Sequence, residues 1–142
     1  MATPDENAHG SADGGGAQTD FKTVVLLETI KRRGRVWGDL AAQYGVTNPD
    51  PPWKVTLDAT CDLLAGDSLV LPGHRVVPGS CALPNLERRA EEDDLSESTY
   101  AGVPYPERQL LALAHSMIKH GLLNEEELAH RMKLVHERLA SA

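Results

Sequence analysis

Two amphipathic stretches separated by only three residues, Gly121 to Leu123, fill the last third of the chain and constrain its fold more than any other feature. Leu110, Leu113, Ala114, Met117 and Ile118 recur at the spacing of one helix face, and the run stops at Gly121. Pro106 suits a first helical turn, and Glu107 places a negative charge where the helix dipole favours it. Beyond the connection, Asn124 followed by Glu127 reads as a capping box, and Leu128, Met132, Val135 and Leu139 form the next stripe. So short a link predicts an antiparallel helical hairpin over 104–140, with its stripes buried against each other or against a partner.

Upstream, Val24, Leu27 and Ile30 predict a helix that ends in Lys31-Arg32-Arg33 before Gly34, and Val36–Tyr44 predicts a second one stopped by Gly45. The prolines of Asn48–Pro52 force an extended break. Trp53–Leu64 reads as helical or mixed, with Leu57, Cys61 and Leu64 on one face. Residues 68–83 read as a small hairpin or an irregular loop, and Pro84–Asp94 as a charged helix with Leu86, Arg89 and Ala90 at usable spacings, ending in an acidic run. Residues 1–20 contain no Lys, Arg, Leu, Ile or Val and predict a disordered Gly-rich tail, because they cannot bury enough apolar surface to order themselves. The expected fold class is therefore mainly α: one irregular helical domain over 21–142 behind a disordered tail.

Several function classes are disfavoured by composition. Apolar stretches such as Thr23–Leu27 fall far short of the roughly 20 residues that span a bilayer, and the acidic start of the chain is not a secretory signal, which predicts a cytoplasmic protein. Trp37–Thr47 resembles the front half of a helix-turn-helix, but Pro49, Pro51 and Pro52 stand where its second helix should run. A formal charge of −7 also leaves a thin footprint for phosphates. Nucleic-acid binding is therefore the weakest alternative. Two cysteines, Cys61 and Cys81, do not make a disulfide framework, and the six histidines include no i,i+4 pair, so no metal is expected to be held by this chain alone.

One constellation remains: Arg88-Arg89, then Tyr100-Ala-Gly-Val-Pro104-Tyr105, then the hairpin. Tyrosine and arginine are common anchors of ordinary interfaces, and the same set can complete a site on another subunit. The stretch from Tyr100 through Pro104-Tyr-Pro-Glu-Arg-Gln-Leu-Leu-Ala-Leu-Ala114, continued as Lys119-His-Gly-Leu-Leu-Asn-Glu-Glu-Glu-Leu128, resembles the N-terminal half of nitrile hydratase β subunits. It is more similar still to the separate β subunit of thiocyanate hydrolases. Trp53 and Ala59-Thr-Cys61 extend the likeness over about residues 53–142.

The resemblance implies a β-type subunit without a metal of its own, inactive alone. Its complex, a lyase, would hydrate a small nitrile to an amide, or would hydrolyse thiocyanate. The cobalt(III) or iron(III) ion would sit in a Cys-x-x-Cys-Ser-Cys loop of a partner subunit, two of whose cysteines are oxidised. Arg89 matches the arginine that hydrogen-bonds those oxidised sulfurs, with Arg88 the fallback if the register slips by one. A guanidinium presents a rigid, charged fork to such oxyanions. Tyr100 and Tyr105 match tyrosines lining the substrate cavity. A chain ending at the hairpin implies a split arrangement, with an SH3-like barrel on a third subunit. Pro106 and Gln109 depart from the family, which continues Pro-Tyr-Tyr and places a Trp shortly after, so a wall of the cavity or a partner contact is altered. A metallochaperone for the same enzyme is the alternative, although residues 130–142 lack a metal-binding cluster.

Overall fold

A computed structural model describes residues 21–66 and 81–142. The expected tail at 1–20 and most of the 68–83 segment lie outside the described residues. Within them the chain forms six helices and no strand: α1 (Val25–Arg32), α2 (Trp37–Tyr44), α3 (Lys54–Ala65), α4 (Asn85–Glu97), α5 (Tyr105–Lys119) and α6 (Glu125–Ala140). None is long and apolar enough to cross a membrane.

Local signals set most helix ends. Gly45 closes α2 at φ 66°, a left-handed conformation that costs glycine nothing, and Gly121 turns the chain after α5 at φ 71°. Asn124 caps α6 by accepting from the backbone N–H of Glu126 at 2.9 Å and of Glu127 at 3.1 Å. The reciprocal half of the expected box is absent, because Glu127 is directed toward Arg131 at 3.7 Å. By contrast, α1 and α2 begin behind Val24 and Val36, which offer no side-chain cap. Carboxylates from distant helices take over: Glu125 accepts from Leu26 N–H at 2.8 Å, and Glu107 accepts from Trp37 N–H at 2.5 Å. These bonds satisfy N-terminal donors that would otherwise be bare and fix the N-terminal helices on the C-terminal ones.

Helix α5 is the centre of the fold and packs along α4. One face carries Leu111 and Ala112 into a cluster with Val24, Leu27, Leu95 and Tyr100. The other carries Leu113 against Leu57, Cys61 and Leu83. These two small clusters take the place of a single large core, as the low aromatic content predicts.

One expectation needs correction, and two that were open are decided. Helix α4 runs past the acidic stretch to Glu97, and its inward face is Arg88, Glu91 and Leu95, whereas Leu86 is 86% exposed. Charged residues occupy that face because ion pairs neutralise them there. Helix α6 follows α5 across the short Gly121–Leu123 link but buries no residue, so of the two covers its stripe could have, α5 is not the one among the described residues. Finally, no helix starts at Val46-Thr47; the chain stays non-helical until Lys54, which removes the recognition helix that a helix-turn-helix needs.

Candidate functional site

Arg88, Arg89, Glu92 and Asp93 of α4 face Tyr105 and Gln109 of α5 across an open cleft of about 280 Å³. The first turn of α5 starts directly after Pro104, which places Tyr105 at the mouth of this cleft with half its surface exposed. Arg88 points inward: it is 7% exposed and its Nη1 donates to Glu92 at 2.8 Å. Arg89, one residue on, is exposed and makes no ion pair with any described residue. Two buried polar atoms of the cleft lack a hydrogen-bond partner, Arg88 Nε and Gln109 Oε1. Three of the four residues singled out from the sequence, Arg88, Arg89 and Tyr105, are thus brought together.

Tyr100 is not among them. It is fully buried, and its hydroxyl meets His115 Nδ1 at 2.7 Å. The imidazole in turn packs edge-on against both Tyr100 and Phe21. Burial, and secondarily the Glu28 carboxylate, push the Tyr100 phenol far above its ordinary range. Burial likewise lowers the His115 pKa below 6.5, outweighing the opposing influences around it. No local pattern signals this pairing, since an isolated His and Tyr are common anywhere.

Behind the cleft, α4 and the end of α5 are locked by a charged network. Glu91 Oε1 accepts from Lys119 Nζ at 2.5 Å and lies 2.9 Å from His120 Nε2, which is 3.5 Å from Glu87. Burial pushes the Glu91 carboxyl up, but Lys119, Ser116 and His120 outweigh it and hold the pKa below 4.5. The Ser116 hydroxyl favours the carboxylate without reaching hydrogen-bond geometry. Glu87, Glu91 and His120 bring ligand-type atoms within 4.8 Å of one another, but the Lys119 ammonium already sits on the shared carboxylate, so the group reads as an ion-pair network.

These shifts predict how stability depends on pH. At His115 the unfolded chain binds a proton more readily than the folded one, so stability falls as pH drops below about 6.5 and is level above it. Glu91, depressed in the fold, adds a second loss as pH falls below about 4.5. Urea midpoints measured from pH 8 to pH 4 should decline in these two steps; a profile flat through pH 5 contradicts the first.

Residues 85–142, which span α4 to α6 and hold every residue of the cleft, match the family described as nitrile hydratase beta subunit, N-terminal. Over this stretch the chain is similar to that family. The nitrile hydratase β match leaves α1 to α3 outside it, including Trp53 and Ala59-Thr-Cys61. Comparisons with curated proteins and with solved structures returned no match. In that family a β subunit is one member of a heteromeric enzyme and works beside a partner chain.

A second surface bears on that partner. Between α1 and α6 lies an open groove of about 640 Å³ lined by Leu26, Ile30, Met132, Val135 and Leu139, with Arg33, Arg131, Lys133 and His136 beside them. Val135 is 44% and Leu139 68% exposed, an apolar stripe on a helix with no buried face. It is larger than the cleft, and its lining joins an apolar stripe to basic side chains, which suits docking better than chemistry.

Proposed function

We propose that the chain is the non-metal-bearing subunit of a nitrile hydratase-type enzyme, docked on a metal-bearing partner whose active site it completes. The observation that carries this reading is the cleft: within the matched segment, an exposed guanidinium without an ion pair and an exposed phenol open together beside buried polar atoms that lack partners. Exposed arginine and tyrosine side chains are favoured anchors of interfaces, so Arg89 and Tyr105 side by side support a surface made to be covered.

Arg89 would donate its fork to oxidised cysteine oxygens of the partner's Cys-x-x-Cys-Ser-Cys loop, where its charge offsets theirs. Arg88, tied to Glu92, would hold α4 in register behind it, and Tyr105 would orient the substrate or the attacking water through its O–H. Tyr100 would act at a distance, by fixing the turn before Tyr105 through its bond to His115. These donors fit a trivalent cobalt or iron centre held by the partner, and such an ion, when bound there, supplies Lewis-acid activation of a nitrile. Thiocyanate in place of a nitrile, and a barrel-bearing third subunit, are finer points of the same reading, and its setting would be the cytoplasm.

The α6 stripe would carry much of the docking energy, since apolar side chains at this exposure are typical of obligate surfaces before assembly. Co-expressed with a chain bearing the cysteine loop, the wild type should co-purify at a fixed stoichiometry, and Leu139→Asp with Val135→Asp should lower the affinity by at least about 10-fold, the scale of one hot spot. The isolated variant should keep its urea midpoint, because neither side chain is buried. Unchanged co-purification would remove α6 from the interface. Release of the partner once it is loaded with metal would support the metallochaperone role instead.

A further inference from the structure

The groove between α1 and α6 gathers positive charge in a chain whose formal charge is −7. Arg33 at the end of α1 and Arg131, Lys133 and His136 on α6 line it, and no Asp or Glu does. Arg131 and Lys133 lie 3.7 and 3.8 Å from Glu127 and Glu137, but all four side chains are more than half exposed, and water screens such pairs. Arg33 has no carboxylate within ion-pair distance among the described residues. The rest of the lining is apolar, with Met132, Val135 and Leu139 on a helix that buries none of its residues.

We propose that this groove receives an acidic amphipathic helix of the partner subunit, its apolar side against Met132, Val135 and Leu139 and its carboxylates against Arg33, Arg131 and Lys133. This rests on the reading that the chain docks on a metal-bearing partner, and it names the element that seats there. A helix fits because both walls are helices, whose backbone groups are bonded within themselves. No strand can be added to them, and interlocking side chains are what remains. Ala129 to Leu139 rise about 15 Å, so the occupant needs about three turns to cover them. Its charge follows from the cations of the lining. Two other occupants match less of the groove. A second copy docked groove to groove about a two-fold axis sets like charges face to face. Residues 1–20 carry Asp5, Glu6, Asp13 and Asp20, but without Leu, Ile or Val they would leave the apolar stripe uncovered.

The test uses the full-length chain and the metal-loaded partner that bears the cysteine loop. At about 50 mM salt, Arg33→Glu with Lys133→Glu should weaken binding at least about 10-fold, chiefly through slower association, and should flatten its salt dependence. Arg32→Glu with Arg35→Glu makes the same change in net charge at exposed cations outside the groove, and should cost under about 3-fold. All four side chains are exposed, so the urea midpoints of both variants should stay near the wild type. Hydrogen exchange of the partner should show protection on binding in a helix rich in Asp and Glu, and the groove variant should lose that protection. Equal losses of affinity in the two variants overturn the proposal, as does lost protection in a segment without acidic residues; in either case binding itself upholds the docking reading. No association of the wild type overturns both. Self-association or binding to phosphatidylserine vesicles, lost in the groove variant while partner affinity is kept, would give the groove to a second copy or to a membrane and overturn the proposal.

Discussion

Arg89→Met in the assembled complex should lower nitrile hydration by about 10–100-fold, the usual cost of removing a group that supports metal ligands from the second layer. The fold should not change with it, because Arg89 is exposed and holds no ion pair among the described residues. Arg32→Met, an equally exposed cation on α1, serves as the control and should leave activity within about 2-fold, as surface changes distant from the cleft do. Arg89→Lys separates charge from geometry. Lysine keeps the charge but not the planar fork, so it should recover only part of the loss if two parallel hydrogen bonds are what the partner receives. Metal content measured on the same samples decides whether Arg89 acts by retaining the ion or by tuning it. Equal, small effects of Arg89→Met and Arg32→Met would exclude the assignment.

The second large effect concerns the core. Tyr100→Ala should destabilise the chain by about 3–5 kcal/mol, the range for deleting a buried aromatic side chain, because Tyr100 is fully buried among Val24, Leu27, Leu95 and Leu111. Tyr100→Phe keeps the ring and removes only the hydroxyl, which leaves His115 Nδ1 without its partner at a cost of about 1–3 kcal/mol. Urea unfolding of the two variants checks both values. A Tyr100→Ala loss under about 1 kcal/mol would mean that the phenol is not part of the core. The Phe variant has a further use in the complex: a loss of activity out of proportion to its stability would bring Tyr100 back to the cavity that its family resemblance implies.

What could be read in advance followed from how far each signal acts along the chain. Gly45, Gly121 and Asn124 work on their own turns, so the ends of α2 and α5 and the start of α6 were legible. The inward face of α4 was not, because Arg88 and Glu91 are buried by virtue of Glu92, Lys119 and His120, two of which come from the far end of α5. Periodicity counts apolar residues, and here the buried residues are charged. Tyr100 illustrates the same limit: as a member of a motif it pointed to a cavity, but His115, fifteen positions later, takes its hydroxyl into the core. Arg89 and Tyr105 stay grouped after folding, whereas Gln109 stood out only as a departure from a pattern, its unpartnered oxygen being a property of three dimensions. The α6 stripe was visible as amphipathic, but its sequence left open whether α5 or another molecule covers it.

The central claim is that side chains of this polypeptide finish a cavity whose reactive ion belongs to another chain. Its most direct measurement is nitrile hydration by the metal-loaded partner with this chain titrated in. The account predicts negligible turnover by either component alone and activity that rises to saturation at one fixed molar ratio. A partner that hydrates nitriles equally well without this chain, or a chain that stays monomeric beside it, would contradict the account.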